Sequence, residues 1–303
     1  MTEGAGQGDE MSMSDIVFSE FHWTSEDGLK LYGRDYQPKG EVRPLPVIAI
    51  HGLTRNSADF DSIASLLCEE GYRVLAVDVR GRGKSGHAGD PMTYVPPVYA
   101  SDIAALLDQK NIARAIFMGT SMGGLITMCL AAVRPQAIAA TILNDVGPEV
   151  APEGLARIAA YTGKPVTITN WAGATDYARV INEVAFPHYD DSDWEAFARR
   201  IFVENAEGVP VLAYDPDISA PIRAGGAAAL VPDLWPLFRT LAERPTLIVR
   251  GGTSDLLSTS IAARMLDEGA KAALVEIPDI GHAPMLDEPE ASEAILDFLS
   301  RQA

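Results

Sequence analysis

Cysteine is scarce in this chain, basic side chains are outnumbered, and no hydrophobic run is long. The 303 residues include two cysteines, Cys68 and Cys129, with no C-x-x-C spacing. That excludes a disulfide framework and a cysteine-built metal site; both thiols fall in apolar helical patterns and read as small core residues. No stretch of about eighteen apolar residues occurs, so no transmembrane helix is expected. Residues 1–15 are polar, acidic and rich in Gly and Ser, without a basic region leading into an apolar one. They read as a disordered tail rather than a signal peptide, and a cytoplasmic location follows. Lys and Arg number 24 against 42 Asp and Glu, a formal charge of -18. A surface of that sign repels nucleic acid and anionic membranes, which leaves small-molecule chemistry. Neither a metal nor a cofactor is expected, no internal repeat is visible, and the oligomeric state stays open.

What the chain does have is apolar content, 47% of it, enough for one large α/β domain or a core carrying an insertion. Alternating segments at 17–24 and 29–36, separated by Ser25-Glu26-Asp27-Gly28, predict an antiparallel hairpin. A continuous apolar run at 46–50 predicts a strand covered on both faces. Helices at 59–70 and 98–109 then alternate with strands at 73–79, 113–118 and 139–144. From 147 to 235 this rhythm breaks into helical or irregular patterns with many aromatics, too long for a simple connection. It resumes with a strand at 246–250, a helix at 260–268, a strand at 273–277 and a last helix at 288–300. Gly83-Lys84-Ser85 is not a phosphate-binding loop, because Asp78 stands where that motif needs a glycine and no helix start follows.

The organising stretch runs from Phe117 to Leu130, reading Phe-Met-Gly119-Thr-Ser121-Met-Gly123-Gly124-Leu. An apolar strand stops at a knot of small residues and gives way to apolar residues at helical spacing. Gly119 and Gly123 flank Ser121 where side chains would collide with neighbouring backbone, and Ser121 stands at a helix N-terminus suited to an oxygen becoming anionic. The stretch resembles the G-x-S-x-G nucleophile elbow of the α/β-hydrolase superfamily. Asp78-Val-Arg80-Gly-Arg82-Gly83-Lys-Ser85 is similar to a loop that braces the sheet in that family.

The resemblance implies an α/β-hydrolase fold, a mostly parallel sheet flanked by helices with a mainly helical cap insertion. The core would be 16–147 and 236–303, and the cap 148–235. It also implies the order Ser, Asp, His for a catalytic triad. His282, after Gly281 and past the last strand, is expected to be the base. Asp255, in Gly251-Gly252-Thr253-Ser254-Asp255, is the preferred acid; Asp145 is its rival at the end of the strand before the cap, and Asp279 ranks last. The backbone N–H groups of Leu53, after His51-Gly52, and Met122 would form the oxyanion hole, while His51 itself reads as a structural loop residue. Trp171, Phe186 and Trp194 are the cap aromatics expected to line an apolar pocket for a bulky, uncharged substrate. Hydrolysis of a carboxylic ester or lactone through an acyl-enzyme is the favoured activity. A carbon–carbon bond hydrolase, a cofactor-free perhydrolase and a receptor retaining the triad are the alternatives.

Overall fold

A computed structural model describes residues 17–225 and 233–302. The expected tail, 1–15, and the cap residues 226–232 lie outside the described residues. The chain opens with β1 (Ser19–Thr24) and β2 (Lys30–Tyr36), paired antiparallel from Thr24↔Lys30 to Ser19↔Asp35. Their turn needs a left-handed residue and finds it in Gly28, at φ +84°. Next come β3 (Val47–Ile50), α1 (Asp61–Glu69), β4 (Val74–Asp78), α2 (Pro96–Gln109), β5 (Ala115–Thr120), α3 (Met122–Val133) and β6 (Ile138–Asn144). The helix predicted at 98 begins two residues earlier because Pro96 and Pro97 occupy its first turn, where no N–H is needed.

Between β6 and the next strand of the main sheet lie α4 (Pro152–Tyr161), α5 (Trp171–Asn182) and α6 (Asp191–Ile201). The short ribbon β7 (Phe202–Glu204) and β8 (Pro210–Leu212) follows, with α7 (Ala220–Gly225) and α8 (Trp235–Leu241). β9 (Thr246–Gly251), α9 (Thr259–Glu268), β10 (Ala272–Ile277) and α10 (Pro289–Ser300) complete the fold.

Among the described residues the main sheet has eight strands in the order β1-β2-β4-β3-β5-β6-β9-β10. From β4 to β10 every pairing is parallel. Parallel strands covered on both sides must be apolar at successive positions, as the short run at Val47–Ile50 is. Ile48 and Ile50 face Ile103, Ile126 and Phe238, while Val47 and Ala49 face Ile63, Leu67 and Ile295. The chain runs from β3 outward to β4, then returns to place β5 on the other side of β3. That reversal is a topological switch point, and it opens a crevice at the carboxyl ends of β3 and β5. No helix among the described residues is long and apolar enough to cross a membrane.

Candidate active site

Ser121 occupies the switch-point crevice, between the end of β5 and the start of α3. Its backbone is at φ 51°, ψ -116°, a conformation that non-glycine residues rarely adopt and that must be held by its surroundings. The holding contacts are tight. A Cβ on Gly119 would stand 2.5 Å from the Gly123 carbonyl carbon, and one on Gly123 would overlap the Ile50 carbonyl oxygen. The Ser121 N–H donates to the Asn144 carbonyl at 2.9 Å, which ties the turn to β6.

His282 arrives on the loop after β10. Asn144 anchors that loop, donating to the Pro284 carbonyl at 2.8 Å. The imidazole Nε2 lies 2.9 Å from Ser121 Oγ, and Nδ1 lies 2.8 Å from Asp145 Oδ2. Asp145, with φ 54°, immediately follows β6 and is fully buried. Its carboxylate also accepts from the Gly251 N–H at 2.9 Å and the Ser254 hydroxyl at 2.7 Å. Three donors on one buried carboxylate satisfy its oxygens and fix its direction. Nδ1 facing that carboxylate carries the proton, so Nε2 is left as an acceptor for the serine hydroxyl.

Asp255, the residue preferred on sequence as the partner of His282, is placed differently. Its carboxylate makes a two-pronged ion pair with Arg157 of α4, at 2.6 and 2.8 Å. The Arg157 guanidinium holds the Asp255 carboxyl below its ordinary range. Asp279 sits exposed in a turn at φ 56°. The rival, Asp145, is the carboxylate that touches the imidazole. Strand order explains this: β6 lies directly beside β5, so a residue just past β6 is next to the serine turn.

Leu53 and Met122 both border the space in front of Ser121. Among the described residues neither of their N–H groups has a hydrogen-bond partner. His51 is fully buried; Nδ1 meets the Gly52 carbonyl at 2.7 Å and Nε2 accepts the Val79 N–H at 3.1 Å. Burial pushes this imidazole down to about 4, so it is neutral and serves as a loop brace.

Two chambers meet at Ser121, sharing Leu53 and Ile158 as their common wall. One, about 40 Å³, is lined by apolar groups such as Leu125, Val146, Val150 and Leu155. The other, about 80 Å³, includes His282 together with Thr54, Arg55, Tyr161 and Asn182. Of the three aromatics singled out on sequence, Phe186 lines the larger chamber. Trp194 is buried among Phe186, Tyr189 and Phe197. Trp171 stands away from the chambers, with its indole N–H on Glu204 and Arg199 over its ring at 3.7 Å.

Sequence reasoning missed Arg157, Ser254 and Asn144. Arg157 and Asp255 are 98 residues apart, with nothing local to pair them. Ser254 was visible beside Asp255 but gave no sign that its hydroxyl would reach Asp145. Among the described residues, no group of three or more His, Cys, Asp or Glu side chains is arranged to hold a metal ion.

Comparison with known proteins gives one consistent picture. Residues 47–295 match the alpha/beta hydrolase family. The chain is 38% identical over 258 residues to the 3-hydroxybutyrate-oligomer hydrolase of Cupriavidus necator, covering 82% of this chain and 86% of that protein. It is 28% identical over 255 residues to the 2-(acetamidomethylene)succinate hydrolase of Mesorhizobium japonicum, covering 84% of this chain and 87% of that one. A solved alpha/beta hydrolase from Novosphingobium aromaticivorans superposes with a TM-score of 0.87 at 45% identity, over 94% of this chain and 98% of that one.

Proposed function

Because the chain belongs to the alpha/beta hydrolase family, we propose that it is a serine hydrolase that cleaves a carboxylic ester or lactone through an acyl-enzyme. The observation that carries this reading is the unbroken series from Asp145 through His282 to Ser121, at 2.8 and 2.9 Å. A serine hydroxyl needs a base to become a nucleophile, and the base needs an orienting carboxylate. His282 Nε2 takes the Ser121 proton as Oγ bonds to the carbonyl carbon. Asp145 stabilises the imidazolium that results, and the free N–H groups of Leu53 and Met122 receive the oxyanion. His282 then returns the proton to the departing alcohol, and water repeats the sequence to release the acid.

That proton delivery also sorts the chambers. The leaving oxygen must stay within reach of His282, so the alcohol part belongs in the chamber that His282 lines. The acyl part belongs in the smaller apolar chamber. A short aliphatic acyl group with a more polar alcohol portion fits both. The relationship to a 3-hydroxybutyrate-oligomer hydrolase supports a short hydroxyacyl ester as the substrate class. Residues 148–235 act as a cap in this reading, since α4, α5 and α6 furnish Ile158, Asn182 and Phe197 to the chamber wall.

The test is covalent labelling. An alkyl phosphonate should add its mass to the protein and not to Ser121→Ala, and Ser121→Ala should lose turnover of a chromogenic short-chain ester by about 10^4-fold or more. Equal labelling of the variant would remove Ser121 from the mechanism. A labelled protein with no ester turnover would favour a receptor.

A further inference from the structure

Arg82 lies two residues beyond Arg80 in the loop after β4, and the two buried guanidiniums are treated very differently. Arg80 is neutralised: its Nη2 and Nε lie 2.6 and 2.7 Å from the Asp102 carboxylate, and its Nη1 lies 2.9 Å from Asp27. Arg82 is fully buried, and every partner it has is neutral. Its Nε donates to the Leu53 carbonyl at 2.9 Å, its Nη1 to the Arg80 carbonyl and the Tyr99 hydroxyl, each at 2.8 Å, and its Nη2 to Met122 Sδ at 3.6 Å. Burial keeps the Tyr99 phenol protonated, so it supplies no countercharge. Among the described residues no carboxylate lies within ion-pairing distance. A guanidinium held in this way is costly, and the usual remedy is a buried carboxylate such as the one Arg80 has.

Two of the four partners, Leu53 and Met122, are the residues beside Ser121 whose N–H groups have no hydrogen-bond partner among the described residues. We propose that Arg82 is the positioning residue of the oxyanion site, tying the Leu53 carbonyl to the Met122 side chain and leaving an uncompensated positive charge behind them. The inference rests on the serine-hydrolase reading and adds to it. A fixed charge near a water-poor site favours the state in which a negative oxygen develops, at no cost in reorganisation when it does. In the ground state the guanidinium has no ionic partner. When Oγ of Ser121 adds to a carbonyl, the carbon–oxygen π pair moves onto the oxygen and the serine proton moves to His282. The oxyanion so formed is the countercharge that Arg82 lacks.

The experiment compares Arg82→Met with Arg82→Lys. It uses a trifluoromethyl ketone, which forms a hemiketal oxyanion with the serine, and an alcohol of matching shape, which binds without forming one. Removing the charge should weaken the ketone roughly 10- to 100-fold while the alcohol holds within about threefold, and kcat should fall with KM nearly constant. Arg82→Lys, which keeps a buried cation, should recover a substantial part of the ketone affinity. The ionisation of the bound hemiketal, followed by carbon-13 NMR, should move to higher pH in Arg82→Met. Equal losses for ketone and alcohol, or a lysine variant no better than methionine, would reduce Arg82 to a structural brace and overturn the inference. Failure of the unsubstituted protein to form any adduct would instead refute the serine reading, and this inference with it.

Discussion

Asp145 and His282, 137 residues apart, meet through Oδ2 and Nδ1 at 2.8 Å, with the carboxylate wholly buried and the imidazole nearly so. In the proposed mechanism the carboxylate acts through the tautomer of the ring: without a negative acceptor, Nδ1 and Nε2 lose their distinction and the serine loses its base. Asp145→Asn should therefore lower turnover by about 10^4-fold with little change in ester binding. Asp255→Asn should cost less than about tenfold, because its charge is committed to Arg157 and it does not touch the ring. Steady-state kinetics of the two variants on one ester checks this; a reversed ranking would return the role to Asp255.

The ion pair between Arg157 and Asp255 fastens α4 to the loop after β9, and the Asp255 carbonyl accepts the Gly154 N–H at 3.1 Å beside it. The Asp255 carboxyl is lowered from its ordinary 3.8. A depressed carboxyl stabilises the fold above its unfolded value and loses that contribution as pH falls through the folded value. The tether should thus hold at all pH values above about 4. Arg157→Met should release it: protease cleavage within 148–235 should accelerate, while reaction of Ser121 with a small activated ester stays within about threefold, as for a partly exposed ion pair. Unchanged cleavage would mean that apolar packing alone holds α4.

How far the sequence carried these conclusions depends on the range of each contact. The elbow was readable because Gly119, Ser121 and Gly123 impose their requirements on each other within five residues, and the strand and helix boundaries around it fell within about two positions. His282 was readable from its place after the last strand. The carboxylate that meets its ring was not, because the choice between Asp145 and Asp255 depends on strand order, which puts β6 beside β5 and leaves the loop after β9 to face α4. The aromatics were harder still. Phe186, Trp194 and Trp171 have similar helical surroundings in sequence, yet one lines a chamber, one is buried and one packs under Arg199. Helical periodicity marks an apolar face, not which neighbour will cover it.

If the acyl group occupies the apolar chamber, Leu155→Phe should shorten the acyl chains accepted. The ratio of kcat/KM for butyrate over acetate esters of one alcohol should drop about tenfold, as expected for a methylene or two that no longer fits. Preference among alcohols for a fixed acyl group should not move, since Leu155 does not line the chamber holding His282. Asn182→Leu should do the opposite. A change of alcohol preference in Leu155→Phe would show that the two chambers have been assigned the wrong way round.

His51 gives a prediction about stability rather than rate. Its ring is lowered from 6.5 to about 4, chiefly by burial, so between those values the unfolded chain binds a proton that the native protein refuses. Stability therefore rises with pH across that window; it is fully present above about 6.5, falls as the solution is acidified, and stops falling near 4. A displacement of this size corresponds to about 3 kcal/mol over the window. His51→Asn cannot titrate, and its side chain is too short to brace both the Gly52 carbonyl and the Val79 N–H. It should be less stable than the unsubstituted protein at pH 7, with the gap narrowing towards pH 4.5. Urea midpoints measured at both pH values test this directly: parallel losses in the two proteins would mean that another group dominates the acid limb, and that the His51 imidazole is charged or solvated in the native state.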